Sequence, residues 1–222
     1  MAEARGRRGH DKAERGIRTR QAYVHHRRIA TGAITPPAKA IDLSPGNRNL
    51  AAGGPGSRSD ALHYTIVTVS TRKYARMQQG LEVNDESGGA AEKAVKDSGG
   101  TVSRRRLISD DSAMLKKEAS EFLSGTDDIA VFVGGTGVSH DDVTIESIQP
   151  FFEKELDGFG EFLRATSFGS IGGAALMTRA TAGVARGKLI ACLPGSPDAV
   201  ATGLRTSIGA FGRALAEARA QG

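Results

Sequence analysis

The sequence predicts an α/β fold in which a mainly parallel sheet carries helices on both of its faces. Short β-branched apolar runs alternate with amphipathic stretches of helical length. Glycine, serine or aspartate stands at the junctions between these segments, as expected for turns and helix caps. The composition also changes near residue 60. We therefore predict a disordered basic extension and linker over residues 1–60 and an α/β domain over residues 61–222.

The predicted extension carries the basic character of the chain. Residues 1–60 hold 12 Lys and Arg against 5 Asp and Glu, a net charge of +7, whereas residues 61–222 hold 18 against 20, a net charge of −2. The extension has no periodic apolar pattern, so it cannot bury enough surface to offset the entropy of ordering. A disordered extension is favoured over a nucleic-acid-binding arm, because almost no aromatic side chains are present to stack on bases. Residues 53–57 have the composition of a linker.

The first half of the domain follows a strand–helix alternation. Each predicted helix begins at an acidic or hydroxyl-bearing cluster, and Gly99-Gly100 ends the first one. Strands are predicted at 63–70, 101–108 and 129–133, and helices at 84–97 and 109–123.

The second half is predicted to be mainly helical around one further strand. Helices are predicted at 143–152, 160–168, 170–179 and 198–220, and a strand at 188–193. In open parallel sheets, ligands bind outside the carboxyl ends of the strands. We therefore expect Ser70, Ser109, the loop 134–142 and the turn 194–197 to converge on one edge of the sheet.

The most informative segment is the loop that follows the strand 129–133. Gly134, Gly135 and Gly137, with Thr136 among them, allow a sharp turn and a close approach of the backbone to a ligand. Acidic residues then follow at 141–142, where a helix could begin. The loop lacks both the Walker A and the dinucleotide-binding spacing, so a ligand-free turn stays an alternative. The combination favours a phosphate-bearing substrate handled with Mg²⁺.

Asp110 and Asp142 are the candidate carboxylates, because each follows the end of a different strand. Helix capping is the alternative role for either one. Mg²⁺ is typically held by one or two carboxylates together with substrate phosphates, which favours a shared site. The further candidates for substrate or nucleotide binding carry capping, surface-pair or helix-start alternatives and are Ser87, Gly88, Glu161, Ser167, Pro194, Gly195 and Ser196.

Composition excludes several other classes of site. Cys192 is the single cysteine, so no internal disulfide can form, and this fits a reducing cytoplasm. Cys192 lies within an apolar run and is predicted to be a core residue, and His140 is predicted to be a solvated loop residue. No Cys/His cluster has zinc spacing, no apolar run approaches membrane-spanning length, and the basic N-terminus has no apolar run typical of a signal peptide.

Taken in order, the motifs of residues 62–218 resemble the MoaB/MogA family of molybdenum-cofactor biosynthesis. The resemblance rests on the set of segments and on their order. These are Ile66–Thr71, Asp85–Gly88, Leu107–Asp111, Gly134–Gly137 with Asp142–Thr144, Gly158–Glu161, Thr178–Ala180, Ala182–Val184 and Leu193–Pro197.

The resemblance implies a molybdopterin-binding α/β fold assembled as a homotrimer or a dimer of trimers. It implies an Mg²⁺-dependent nucleotidyltransferase that uses ATP and molybdopterin as substrates and releases adenylyl-molybdopterin and pyrophosphate. The two functional aspartates of the family fall on Asp110 and Asp142 here. A downstream molybdate-insertion protein is an expected partner, whereas a membrane or nucleic acid is not expected.

Three alternatives stay open from the sequence. The first is a non-catalytic molybdopterin-binding or carrier protein of the same fold. The second is a molybdate-inserting relative, which is disfavoured because such proteins are usually longer and multidomain. The third is a nucleic-acid-binding protein driven by residues 1–60.

Overall fold

The computed structural model describes residues 61–220, which contain a six-stranded sheet in the order β2-β1-β3-β6-β5-β4. The predicted 1–60 extension, its 53–57 linker and the resulting domain boundary lie outside the described residues and stay predictions. The strands are β1 (His63–Val69), β2 (Thr101–Ile108), β3 (Ile129–Val133), β4 (Lys154–Glu155), β5 (Thr181–Ala185) and β6 (Lys188–Leu193).

The four neighbouring strands β2, β1, β3 and β6 pair in parallel, and the two remaining pairings of the sheet are antiparallel. β1 pairs with β2 on one side and with β3 on the other, and β3 pairs with β6. The order of the strands therefore reverses between β1 and β3, and their carboxyl ends open a crevice in which ligands typically bind. β5 and β4 extend the sheet in antiparallel fashion.

Helices cover both faces of the sheet, as the sequence predicts. Helices α2, α5 and α6 cover one face, and α3 and α4 cover the other. Along β3 the side chains alternate between the two cores, so that Val131 faces the first and Phe132 the second. The helices are α1 (Thr71–Gln78), α2 (Glu86–Asp97), α3 (Ser112–Ser124), α4 (Thr144–Ile148), α5 (Asp157–Ile171) and α6 (Pro197–Arg219), with 3₁₀ turns at Gln149–Phe151 and Gly172–Met177.

The predicted α/β class is confirmed, and strands 101–108, 129–133 and 188–193 occur at the predicted bounds. Two helix predictions are wrong in extent. The predicted helix 143–152 ends early as α4, because Pro150 lacks the N–H that an α-helix requires and a 3₁₀ turn follows. The predicted helix 170–179 is only a 3₁₀ turn, because α5 runs on to Ile171 and Gly172 then takes a positive φ of 57°.

Three elements were not predicted. Helix α1 is short and mostly polar, and none of its residues is buried, so it lacks the core-facing apolar residues that predict a helix. Strand β5 is rich in small residues, and its hairpin to β6 turns through Arg186 and Gly187, which have φ of 53° and 67°. A positive φ at both central residues suits a two-residue hairpin, but Arg-Gly is a weak sequence signal for it. β4 has only two residues.

No helix in the described part of the chain is both long enough and apolar enough to cross a membrane.

Replacing Phe132 with alanine tests the importance of the sheet core. Phe132 is 0% exposed in the central parallel sheet, and we expect Phe132→Ala to lower the free energy of unfolding by about 3–5 kcal/mol. Leu81→Ala is the control, because Leu81 is 47% exposed and its loss should cost at most about 0.5 kcal/mol. Urea unfolding measures both variants, and equal effects would contradict the described packing.

Candidate active site

A cavity of about 550 Å³ opens at the carboxyl ends of the parallel strands. The expected convergence on this edge is observed for Ser70, the glycine loop and the turn after β6, whereas Asp110 rather than its neighbour Ser109 lines the cavity. Most of the predicted site residues line it, and these are Ser87, Asp110, Gly134, Gly135, Thr136, Gly137, Asp142, Ser167, Pro194, Gly195 and Ser196.

The glycine loop packs so closely on neighbouring chain segments that its glycine positions have no room for a side chain. Gly134 and Gly135 have φ of 104° and 61°, in the region that favours glycine. A Cβ on Gly134 would lie 2.4 Å from the carbonyl oxygen of Val69, at the end of β1. The loop is also tied to its surroundings, because the Gly134 amide donates to Leu193 O at 2.9 Å and the Thr144 amide donates to Gly135 O at 2.9 Å.

Asp110 is held against this loop by the start of α1. Its Oδ2 accepts hydrogen bonds from the Thr71 amide at 2.8 Å and from the Thr71 hydroxyl at 3.1 Å. Its Oδ1 lies 2.3 Å from the position that a Cβ on Gly135 would take, and it accepts no hydrogen bond from residues 61–220. One oxygen of Asp110 is therefore oriented by the protein, and the other is available to a ligand.

Asp142 has a similar arrangement against Gly137 of the same loop. Its Oδ2 accepts from the Ser139 amide at 3.1 Å and lies 2.6 Å from the position of a Cβ on Gly137. Within the described chain, its Oδ1 accepts no hydrogen bond either. The loop thus lies beside two carboxylates that come from different strand ends.

Neither candidate aspartate caps the helix that follows it, which was the alternative role considered from the sequence. Helix α3 is capped by Asp111, which accepts from the Met114 amide at 2.8 Å, and not by Asp110. Helix α4 follows Val143 and has no side-chain cap. Asp141, the neighbour of Asp142, is exposed, and within residues 61–220 its side chain pairs with His140 alone, at 3.4 Å.

The turn after β6 is joined to the start of α2. The Ser87 hydroxyl donates to Gly195 O at 2.5 Å, although the two residues are far apart in sequence. Ser196 caps α6 by accepting from the Ala199 amide at 3.3 Å. The amino-terminal ends of α2 and α6 therefore both meet the cavity, and the positive ends of helix dipoles favour bound anions.

A half-buried ionic network supports the start of α2. Asp85 caps the helix through the Gly88 amide at 3.0 Å and also accepts from Thr68 at 2.9 Å and from Arg105 at 2.7 Å. Burial alone would raise the pKa of Asp85, but these hydrogen bonds and the Arg105 charge outweigh it and hold the pKa below its usual range.

Gly88 belongs to this network rather than to the cavity wall. A Cβ on Gly88 would lie 2.1 Å from an Asp85 oxygen and 2.6 Å from the Thr68 hydroxyl oxygen. Gly88 is therefore required for close packing, and it is not among the residues that line the cavity.

Two cationic residues line the cavity that were not among the predicted site residues. Lys73, on α1, has its Nζ 3.7 Å from an Asp85 oxygen. Arg179 donates to Gly137 O at 2.7 Å and forms an ion pair with Glu146. Partial burial acts to raise the pKa of Glu146, but the hydrogen bond from Arg179 lowers it overall. Lys73 follows the end of β1 closely in the sequence. A basic residue at such a position is the sequence signal that could have identified these groups.

The wall near the end of α5 is apolar. Ile171, Ala174 and Met177 line the cavity there, and Ile171 and Met177 are 53% and 62% exposed. Ser167 lies on the same helix and also lines the cavity. The cavity therefore joins an anion-binding side to an apolar side, which suits a ligand that has phosphate groups and a flat ring system.

Three other residues singled out from the sequence lie away from the cavity lining. Glu161 is exposed on α5 and does not line the cavity. His140 is exposed in the loop, as predicted. Cys192 is buried in β6, where desolvation raises the pKa of its thiol, so it is a core residue, as predicted.

The donor set fits Mg²⁺ bound together with substrate phosphates. Each aspartate offers one oxygen that is free of hydrogen bonds within the described chain. Over residues 61–220, no group of three or more His, Cys, Asp or Glu side chains is placed to hold a metal ion alone. Two carboxylates that need further ligands from a phosphate are the usual protein contribution to an Mg²⁺ site.

Comparison with known proteins agrees with this geometry. Residues 65–212 match the family described as a probable molybdopterin binding domain. The chain is 37% identical over 145 residues to the "Probable molybdopterin adenylyltransferase" of Methanocaldococcus jannaschii, which covers 65% of this chain and 86% of that protein. It is 33% identical over 138 residues to the "Molybdenum cofactor biosynthesis protein B" of Escherichia coli K12, covering 62% of this chain and 77% of that protein.

A solved structure shows the same fold. The crystal structure of the "tungsten cofactor synthesizing protein MoaB" from Pyrococcus furiosus superposes with a TM-score of 0.65 at 34% identity, covering 73% of this chain and 99% of that chain. The parallel sheet, the glycine loop with its two aspartates and the family match over residues 65–212 lead to one conclusion: the chain belongs to the molybdopterin-binding domain family that includes MoaB.

Proposed function

We propose that this protein acts in molybdenum-cofactor biosynthesis as a nucleotidyltransferase that joins AMP from ATP to molybdopterin. The observation that carries the proposal is the placement of Asp110 against Gly135 and of Asp142 against Gly137 in one cavity. The names of the relatives as molybdopterin adenylyltransferases support the same reaction.

In the proposed reaction, an oxygen of the terminal phosphate of molybdopterin attacks the α-phosphorus of ATP. The new bond joins that oxygen to the α-phosphorus, and the bond from the α-phosphorus to the bridging oxygen breaks. The bridging oxygen leaves with its electron pair as part of pyrophosphate. Such transfers depend mainly on positioning and on charge neutralisation, which a preorganised cavity can supply.

The residues of the cavity divide this work between them. The glycine loop lets a phosphate approach the backbone, and the starts of α2 and α6 add favourable dipoles for its charge. Lys73 contributes a positive charge on the same wall. The apolar wall of Ile171, Ala174 and Met177 suits the ring of the pterin or of the adenine.

Asp110 and Asp142 are the residues that would hold Mg²⁺. When bound with ATP, Mg²⁺ would offset the charge repulsion between the two anionic substrates and polarise the phosphate that is attacked. The protein's own contribution is to orient one oxygen of each carboxylate, through Thr71 for Asp110 and through Ser139 for Asp142.

Asp142→Asn tests the catalytic proposal. We expect the rate of adenylyl-molybdopterin formation from molybdopterin and Mg-ATP to fall by about 10²-fold or more, because a charged ligand for the metal is lost. Asp141→Asn is the matched control, since Asp141 is an exposed neighbour, and it should retain the wild-type rate. If the wild-type protein binds molybdopterin but transfers no AMP, the catalytic proposal is wrong and a carrier role replaces it.

Gly135→Ala tests the geometry of the loop. An alanine Cβ would meet Asp110 Oδ1 at 2.3 Å and the Thr144 hydroxyl oxygen at 2.4 Å, at a φ of 61°. We expect a loss of about 1–3 kcal/mol in the free energy of unfolding and a weaker affinity for Mg-ATP. Gly169→Ala is the control, because no atom lies within 4 Å of its added Cβ. Calorimetric titration with Mg-ATP would contradict the proposed loop function if both variants bound equally well.

We also propose that the protein forms a homotrimer or a dimer of trimers, as its family resemblance implies. Exposed apolar side chains near the end of α5 support association, because Phe168 and Leu176 are 61% and 83% exposed there. Light scattering should give a mass three or six times that of the chain. Leu176→Ser should lower this mass. Val138→Ser is the control, because Val138 is also an exposed apolar residue, at 65%, but lies in the glycine loop, and this variant should keep the mass of the wild type. A monomeric wild type would contradict the proposal.

A further inference from the structure

A second groove of about 310 Å³ adjoins the active-site cavity. It is lined by Arg72, Lys73 and Arg76 of α1 and by Val83 and Asn84 of the following loop. Lys73 lines both spaces, so the groove begins where the cavity wall ends. No acidic side chain lines the groove.

Two of these cations have no acidic partner in the described part of the chain. Arg76 donates only to the backbone oxygen of Glu82, at 3.4 Å, and Arg72 forms no ion pair with residues 61–220. Arg105 and Arg219, by contrast, are each paired to an aspartate at 2.7 Å. The guanidinium groups of the groove are therefore available to an anion.

The position of these cations is unfavourable for α1 itself. Arg72 and Lys73 lie in the first turn, where the helix dipole disfavours positive charge and where no acidic residue is present. Arg72 and Arg76 are four residues apart, so two like charges face each other along the helix. None of the residues of α1 is buried, so the helix gains no buried apolar contact that would offset this electrostatic cost. A bound anion would neutralise these positive charges and so reduce the repulsion between them.

Helix α1 is also coupled to the reaction site. The Thr71 amide, at its first residue, donates to Asp110 at 2.8 Å. The helix that carries the three cations of the groove therefore begins against Asp110, one of the two carboxylates of the cavity. The lining of the groove has no aromatic side chain and one apolar residue, Val83, so it lacks the wall that a ring system needs. A compact anion with several negative charges suits it better.

We propose that the groove of Arg72, Lys73 and Arg76 binds the β- and γ-phosphates of ATP and retains them as pyrophosphate after transfer. The inference rests on the proposed adenylyl transfer for its biological role. Arginine forks bind phosphate oxygens in pairs, and Lys73 marks the boundary with the cavity that holds the α-phosphate. The phosphate of molybdopterin is the other source of similar chemistry, and the test separates the two.

The test is calorimetric titration of the full chain with Mg-pyrophosphate, with a non-hydrolysable Mg-ATP analogue, with AMP and with molybdopterin. We expect Arg72→Gln/Arg76→Gln to weaken pyrophosphate and the ATP analogue by about tenfold or more, because two charge-assisted contacts are lost. AMP lacks the β- and γ-phosphates, so its affinity should not change. Arg72→Lys/Arg76→Lys keeps the charge and should recover part of the affinity.

Arg205→Gln/Arg213→Gln is the matched control, because both residues are exposed on α6, line neither space and change the net charge equally. Wild-type affinity for pyrophosphate in the groove variant, an equal loss in the control, or an equal loss for AMP would each overturn the inference. Unchanged pyrophosphate binding with weakened molybdopterin binding would assign the groove to the pterin phosphate and overturn it as well.

The outcome is separable from that of the proposed function. If the wild type binds pyrophosphate through the groove but makes no adenylyl-molybdopterin, the site stands and the transfer reaction fails. If it makes adenylyl-molybdopterin and the groove variant binds pyrophosphate normally, only the site fails.

Discussion

The close packing of the glycine loop on the end of β1 is the constraint on which the site depends. Gly134 leaves no room for a side chain beside the Val69 carbonyl, and its amide is held by Leu193 at the end of β6. The loop therefore bridges the ends of three neighbouring parallel strands. With that bridge in place, Gly135 meets Asp110 and Gly137 meets Asp142, so one short segment sets the positions of both carboxylates.

The surrounding polar contacts keep this arrangement rigid. The Asp85 network fixes the start of α2, whose Ser87 then reaches Gly195 in the turn after β6. On the opposite side, Arg179 ties the loop to α4 through Gly137 O and Glu146. The Ser87–Gly195 and Arg179–Gly137 hydrogen bonds are partly buried, where hydrogen bonds are stronger than on an open surface. A preorganised site avoids much of the entropy that a flexible one would lose on binding.

Charge is distributed in a way that fits two anionic substrates. The carboxylates lie beside the loop where a metal ion and a transferred phosphate would meet, and the unpaired cations lie on α1, beyond Lys73. The net charge of +5 comes from residues 1–60, since residues 61–222 carry −2 by formal count. The positive groove is thus a local feature of α1 and does not reflect a basic domain.

Local patterns in the sequence determined the elements whose cause is local. The strands at 101–108, 129–133 and 188–193 follow from apolar β-branched runs, and the glycine loop follows from residues that alone tolerate its backbone angles. Asp110 and Asp142 could be selected as candidates because each stands after a strand end and because the ordered motifs resemble a known family. These signals need no knowledge of distant contacts.

Only the tertiary structure decided which residues share the cavity and which acidic residue caps a helix. Capping and ligand binding by an aspartate look alike in sequence, and the distinction came from the contacts of Asp111, Asp142 and Ser139. None of the residues of helix α1 is buried, so no core-facing pattern in the sequence predicted this helix. The positions of Lys73 and of its cationic neighbours could therefore not be predicted either. Ser87 and Gly195 are 108 residues apart, and such a contact depends on the whole sheet being assembled.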